Sequence, residues 1–317
     1  MITPVLIALA WGMEVALGWP NWLYRRIAHP VVWIGGMINA FEARLNCNAH
    51  PPAIQYVFGA FTAIITITAA TGVAIVISHA LPNSWWGTAL EALIASSLLA
   101  SRSLYEHILN VLRPLHQNDL ETAREAVSRI VGRDPNQLDE NAIARASLES
   151  LAENTSDGVT APIFWGLIFG LPGLVAYKSV NTLDSMIGHR TPKFARFGGF
   201  AARLDDLANL IPARMTGLLF AMASANASAF KVLLRDSGKH RSPNAGWPEA
   251  AMAGGLNVRL SGPRTYAGHS TNEPWLNAGA RDPEAQDIKR GLALYVRAMS
   301  VLGGLLILGI VGAHHAK

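Results

Sequence analysis

Cysteine is almost absent from this chain of 317 residues: Cys47 is the single one, which excludes an intramolecular disulfide and any zinc or iron–sulfur site built on thiolates. Charge is scarce too, at 15% Asp, Glu, Lys and Arg against about 25% in a soluble domain. No GxxxxGK[ST] occurs, because Gly238-Lys239 has no glycine five positions upstream, so any bound nucleotide is not held by an ordinary P-loop. HExxH and GxSxG are missing, and no internal repeat stands out. The net charge of +4 is spread through loops rather than gathered with aromatics on one face, which argues against nucleic acid as a partner.

What the chain has instead is apolar length. Half of its residues are hydrophobic and the mean hydropathy is +0.24. Runs near the ~20 residues of a spanning helix fall at 2–18, 54–81 and 298–313, and 89–100 continues toward residue 111 through Glu91 and Arg102 as a further expected span. The first run contains Glu14, lacks a basic leader and shows no small-residue cleavage site, so it reads as an anchor rather than a signal peptide. Arg25, Arg26 and Arg44 follow the first run, whereas 81–88 carries no Lys or Arg. The positive-inside rule then puts the former loop in the cytoplasm and the latter outside.

The expected fold is all-α: a polytopic integral membrane protein with about four or five transmembrane helices, a broken or re-entrant helical region, and cytoplasmic helical and loop segments. Its expected divisions are an N-terminal transmembrane region (1–112), cytoplasmic amphipathic helices (113–160), a membrane-associated broken-helix core (161–230), a cytoplasmic loop region (231–297) and a C-terminal transmembrane helix and tail (298–317). Within 113–160, Asp119 and Asp139 are expected helix caps on either side of a break at 132–135. In 161–230, Pro162, Pro172 and Pro212 interrupt apolar stretches, and irregular backbone at membrane depth is tolerated only inside protein or beside a wet cavity. Gly166 and Gly170 form a GxxxG, and 221–229 is rich in small residues, both signs of close helix packing.

A polar block at 149–214 stands out against this background. Helical spacing puts Arg145, Glu149 and Glu153 on one face, and two like charges so placed repel unless a cation or proton lies between them. Asn154, Asp157 and Gly158 follow. NTLDSM brings Asn181, Asp184 and Ser185 together, and RLDDLANLIPAR supplies Arg203, Asp205, Asp206, Asn209 and Arg214. Pro212 has no N–H for the carbonyl of residue 208, freeing it for a ligand, water or another side chain. Carboxylates with Asn suit a hard cation such as Mg²⁺, and arginines suit phosphate. Downstream, Arg235, Lys239, His240 and Arg241 beside Ser242, Asn244 and Gly246 form a basic loop able to hold an anion, which Tyr266 and Gly268 could close.

At these residues the chain resembles the CobD/CbiB family of cobalamin biosynthesis, the adenosylcobinamide-phosphate synthases. The resemblance lies in HPVVWIGGMINAFE from His29, VGRDPNQLDENAIARASLESLAENTSDGVTAPIFW from Val131, YKSVNTLDSMIGH from Tyr177, FGGFAARLDDLANLIPARMTG from Phe197 and SPNAGWPEAAMAGGLNV from Ser242, and so runs almost end to end. It departs near the start, where Glu14 and Gly18-Trp19-Pro20 stand in place of an expected acid and GDP-like tripeptide.

The resemblance implies an ATP-dependent amide-forming ligase that joins aminopropanol, or its O-phosphate, to a carboxylate of adenosylcobyric acid. Its implied surroundings are the cytoplasmic membrane, with the site on the cytoplasmic side, the lipid bilayer, and other corrinoid-pathway membrane enzymes as partners. ATP is then co-substrate, with Mg²⁺ held by Asp184, Asp205 and Asp206. Phosphate contacts fall to Arg203, Arg214, Arg235, Arg241 and Asn244. Glu149, Glu153, Asn154, Asp157 and Asn181 form the catalytic set, in which Glu153 or Asp157 deprotonates the incoming ammonium. A non-catalytic membrane signalling modulator and a transporter are the competing readings; intact NTLDS and RLDD weigh against the first, and the missing inverted repeat against the second.

Overall fold

A computed structural model of the chain describes residues 2–19, 25–26, 28–47, 49–130, 138–189, 191–266 and 269–315. The expected break at 132–135 and Gly268 lie outside them. Two compact units form: one from 1–100, 161–209 and 309–317, the other from 101–160 and 210–308.

In the first unit every described regular element is a helix. Its elements are α1 (Ile2–Leu17), α2 (Pro30–Leu45), α3 (Pro52–Ala80) and α4 (Trp85–Ser96), then α8 (Ala161–Ile187) and α9 (Gly199–Ala208). Local chemistry sets several starts. His29 Nδ1 accepts from the Val31 N–H at 3.2 Å, with Pro30 at the first position of α2, and Pro52 opens α3 where a missing N–H costs nothing. Helix α8 packs against α1, α2, α3 and α9. Ile34, Ile38, Ala63, Leu183, Ile187, Phe197 and Ala201 make the buried cluster that fixes α2, α3 and the end of α8 against α9. Two glycines allow the closest approaches, since a Cβ at Gly59 would strike the Phe197 carbonyl and one at Gly198 the Ile187 carbonyl.

The second unit comprises α5 (Ser101–His116), α6 (Leu120–Ser128), α7 (Glu140–Thr155), a π-helical turn (Ser156–Thr160), α10 (Leu210–Ser224), α11 (Ala227–Asp236), a 3₁₀ turn (Ser237–Lys239), α12 (Gly246–Leu256) and α13 (Ala285–His315). Four short strands, β1 (Leu260–Ser261), β2 (Arg264–Tyr266), β3 (His269–Thr271) and β4 (Trp275–Leu276), pair antiparallel as β1 with β4 and β2 with β3. The expected caps are present: Asp119 accepts from Thr122 N at 3.1 Å and Asp139 from Ala142 N at 2.7 Å. Small residues let α12 lie close on α11, where a Cβ at Gly254 would sit 2.8 Å from the Ala229 Cα, as 221–229 foretold.

The all-α membrane class expected from the sequence is what is found. Among the described residues, three helices, Pro52–Ala80, Glu140–Ile187 and Ala285–Gly312, contain stretches long and apolar enough to cross a bilayer. A fourth span results if α9 and α10, bent by 48° at Asn209, count as one. This bent pair is the broken region anticipated around Pro212.

Several local expectations need correction. The first run makes only the 16 residues of α1, short of a full span. The run at 89–111 does not continue: α4 ends at Ser96, where Ser96 and Ser97 hydroxyls donate to the Leu93 and Ile94 carbonyls at 2.7 Å each, a competition that favours helix ends. The run at 207–230 breaks at Asn209 and again at Ala225, which has a left-handed φ of 51°. In α8 the irregular residue is Gly170 (φ 68°, ψ −152°), so that glycine makes a kink rather than a packing surface. Segment 231–297 is no extended loop, since α11, α12 and the start of α13 occupy much of it. Helix α7 is buried on nearly every face rather than amphipathic.

Candidate functional site

In the first unit, the last turns of α8 and the whole of α9 carry the acids of NTLDS and RLDD. The Leu183–Ile187–Phe197–Ala201 packing draws these two segments together, and Asp184, Asp205 and Asp206 come close enough to repel one another electrostatically. Asp205 is the innermost, 9% exposed. Its Oδ2 accepts from Asn209 Nδ2 at 3.0 Å, and Asn209 Oδ1 in turn accepts from the Tyr177 hydroxyl at 2.9 Å. Asn181 of α8 stands near enough to act on the same carboxyl, yet Asp205 Oδ1 is buried and accepts no hydrogen bond of good geometry.

A buried carboxylate oxygen without a well-formed hydrogen bond, beside two further acids, is an arrangement that a cation or a proton stabilises. Among the described residues, no group of three or more His, Cys, Asp or Glu side chains is placed to hold a metal ion. Arg203 is exposed on α9, with Nη1 3.5 Å from the Tyr56 hydroxyl. The carbonyl freed by Pro212 is used as well: Ala208 O accepts from Trp165 Nε1 at 3.1 Å.

In the second unit, the sequence ENTSDGVT turns from α7 into the π-helical turn, a geometry that recurs at functional sites. The two glutamates of the predicted face have different surroundings. Glu149 is buried and accepts from the Ser261 N–H at 2.7 Å, which fastens β1 to α7, whereas Glu153 is exposed. Asn154 donates to the Ser150 carbonyl at 2.9 Å, and Asp157 is half-buried in the π turn.

The basic loop proves rich in answering acids. Asp236, fully buried, takes Arg235 Nη2 and Lys239 Nζ at 2.7 Å each and the Asn277 N–H at 2.8 Å. Burial works to raise its carboxyl, but these hydrogen bonds outweigh it and hold the group well below the usual carboxylate range. Arg241 lies 3.4 Å from Glu273, and His240 lies 3.7 Å from the buried Glu249. Ser242 Oγ accepts from the N–H groups of Asn244 and Ala245, both at 3.2 Å, and the Asn244 side chain is buried. Tyr266 lies in the β2–β3 hairpin. Arg214 has no such acid among the described residues; Nη1 donates to the Leu210 carbonyl at 2.6 Å and its guanidinium lies 4.7 Å from the Trp247 ring centre.

Asp184, Asp205, Asp206 and Asn181 thus come together in one unit. Glu149, Glu153, Asn154 and Asp157 share one helical stretch of the other, which also holds Arg214, Arg235, Arg241 and Asn244. Sequence reasoning missed Asp236 and Asp282. Asp282 binds Arg259 at 2.6 Å and Arg145 at 3.4 Å, and both guanidiniums lie on the Trp275 ring, at 4.3 and 5.0 Å from its centre. Two arginines, a tryptophan and an acid separated by up to 137 positions leave no local pattern to read.

The fold defines a helical membrane protein in which Asp184, Asp205 and Asp206 form a carboxylate cluster. A family model described as CobD/Cbib protein matches residues 7–295, and the chain belongs to that family. Curated relatives called "Cobalamin biosynthesis protein CobD" include one from Rhodobacter capsulatus, 52% identical over 96% of this chain and 96% of its own. Another from Brucella suis is 45% identical over 96% of this chain and 95% of its own, and one from a Sinorhizobium species is 45% identical over 96% and 97%. No solved structure matches the chain.

Proposed function

We propose that the protein acts in cobalamin biosynthesis as an ATP-dependent amide-forming enzyme, joining adenosylcobyric acid to aminopropanol or its O-phosphate. The relatives' printed names support the pathway. The observation that carries the chemistry is the buried Asp205 carboxylate, braced by Asn209 on one oxygen and left without a well-formed hydrogen bond on the other, beside Asp184 and Asp206.

Asp184 and Asp205, with Asp206 nearby, would hold Mg²⁺, which when bound neutralises phosphate charge. A carboxylate oxygen of the corrinoid attacks the γ-phosphorus of ATP and ADP leaves. The amine nitrogen then attacks the acyl carbon, phosphate departs with the bonding pair, and Glu153 or Asp157 takes the ammonium proton. Arg203 and Arg214 are the favoured phosphate contacts because neither has a carboxylate partner among the described residues. Arg235 and Arg241 would first have to loosen from Asp236 and Glu273, and Asn244 would add a polar contact beside them. Asn181 and Asn154 would orient the acids, and Glu149 would hold α7 in place. The working side is the cytoplasmic face of the cell membrane, where ATP is available.

The test is to incubate detergent-solubilised protein with ATP, Mg²⁺, adenosylcobyric acid and aminopropanol phosphate and to follow amide by mass spectrometry together with ADP. Amide and ADP in equal amounts are expected. Folded protein that releases neither would overturn the reading.

A further inference from the structure

Away from the acids, a groove of about 740 Å³ runs between α5 and the first half of α13. Its lining divides sharply in character. Leu112 and Val296 belong to its apolar wall, while Arg113, His116, Lys289 and Arg297 bring cationic or titratable groups to it, and no acid lines it. Among the described residues, none of Arg113, Lys289 or Arg297 has a carboxylate within ion-pair distance, although the neighbouring Arg102 and Arg290 do. Unanswered cations beside buried leucine are costly in a bilayer unless something anionic meets them.

The surroundings narrow what that is. Helix α13 contains one of the three candidate spans, Ala285–Gly312, and its far half turns apolar side chains outward: Leu305, Ile307, Leu308 and Val311 are all exposed. Lys289 and Arg297 therefore stand at the polar beginning of a lipid-facing helix, where basic side chains meet headgroups. Arg113 and His116 occupy the last turn of α5, where backbone carbonyls favour cations. A ligand fitting both walls has a phosphate at one end and a hydrocarbon chain at the other.

We propose that this groove is a binding site for an acidic phospholipid, whose phosphate is held by Arg113, Lys289 and Arg297 and whose acyl chain lies along Leu112 and Val296. Apolar side chains alone would accept any lipid; the three cations select the anionic headgroup. The site is independent of the ligase reading, because none of its residues belongs to the acid cluster or to the basic loop.

Native mass spectrometry of the detergent-solubilised full chain tests the proposal. The protein is titrated with phosphatidylglycerol, with phosphatidylcholine of the same acyl chains, and with inorganic phosphate. Phosphatidylglycerol should stay bound at roughly tenfold lower concentration than phosphatidylcholine, with no adduct from phosphate alone. The double variant Arg113→Gln/Lys289→Gln should lose that preference, while Arg102→Gln, an exposed cation of the same helix paired with Glu106, should keep it. Equal retention of the two lipids, phosphate adducts in place of lipid, a preference unchanged in the double variant, or a second copy of the chain covering the groove would each overturn it. Circular dichroism of both variants guards against misfolding, and Arg297→Gln serves as the second substitution if the double variant fails to fold.

Discussion

Asn209 bridges the most buried acid of the cluster to its frame: it donates to Asp205 Oδ2 at 3.0 Å and accepts from the Tyr177 hydroxyl at 2.9 Å. The bridge holds one carboxylate oxygen still while the other is left for a partner. Asn209 itself ends α9, so the same residue terminates the helix and positions the acid.

Replacement of Asp205 by Asn keeps the volume and removes the charge. Amide formation should fall at least 100-fold, equivalent to about 2.7 kcal/mol of transition-state stabilisation, while the melting temperature holds or rises, because repulsion from Asp184 and Asp206 is relieved. Steady-state rates beside thermal unfolding in detergent measure both; a normal rate removes Asp205 from the chemistry.

Metal removal follows the same logic. EDTA should abolish turnover, and added Mg²⁺ should restore it with an apparent affinity weakened at least tenfold in Asp184→Asn. Calorimetric titration of Mg²⁺ with and without ATP checks this. Tighter binding in the presence of ATP is expected, since substrate phosphate supplies further oxygen ligands to the ion.

Asp236 gives a pH dependence with a defined sign. Its carboxyl is depressed in the folded chain by Arg235, Lys239 and the Asn277 N–H, so its contribution is complete above the unfolded value near 4 and fades as pH falls below it. Asp236→Asn should lower stability by about 3 kcal/mol at neutral pH. The gap between wild type and variant should narrow below about pH 4, measured by denaturant unfolding across pH 3–8.

Glycine replacement separates packing from propensity. Gly198→Ala pushes a methyl group into the Ile187 carbonyl and should cost about 2 kcal/mol, breaking the approach of α9 to the end of α8. Gly72→Ala, with nothing within 4 Å of the new atom, should be neutral or slightly stabilising. Thermal unfolding of the pair in one detergent distinguishes them.

Much of the outline was legible in the chain. The apolar run that became α3, the caps at Asp119 and Asp139, and the break near Pro212 are local events, set by side chains within a turn or two of one another. The acids of NTLDS and RLDD were visible for a related reason: charge inside an apolar stretch is anomalous whatever the fold. The stop at Ser96 was missed because hydropathy averages over the two serine hydroxyls that compete with the helix.

The sequence by itself determined a helical membrane protein with a polar block at 149–214, since spanning length and charge placement are properties of residue order. Tertiary structure alone decided that Asp184 faces Asp205, that Ala208's carbonyl meets Trp165, that Glu149 fastens a strand, that Asp236 receives the Asn277 N–H, and that Asp282 gathers two arginines. These pairings join residues up to 137 positions apart, and such partners are chosen by how helices pack, through contacts like Gly198 on Ile187, rather than by any spacing written along the chain.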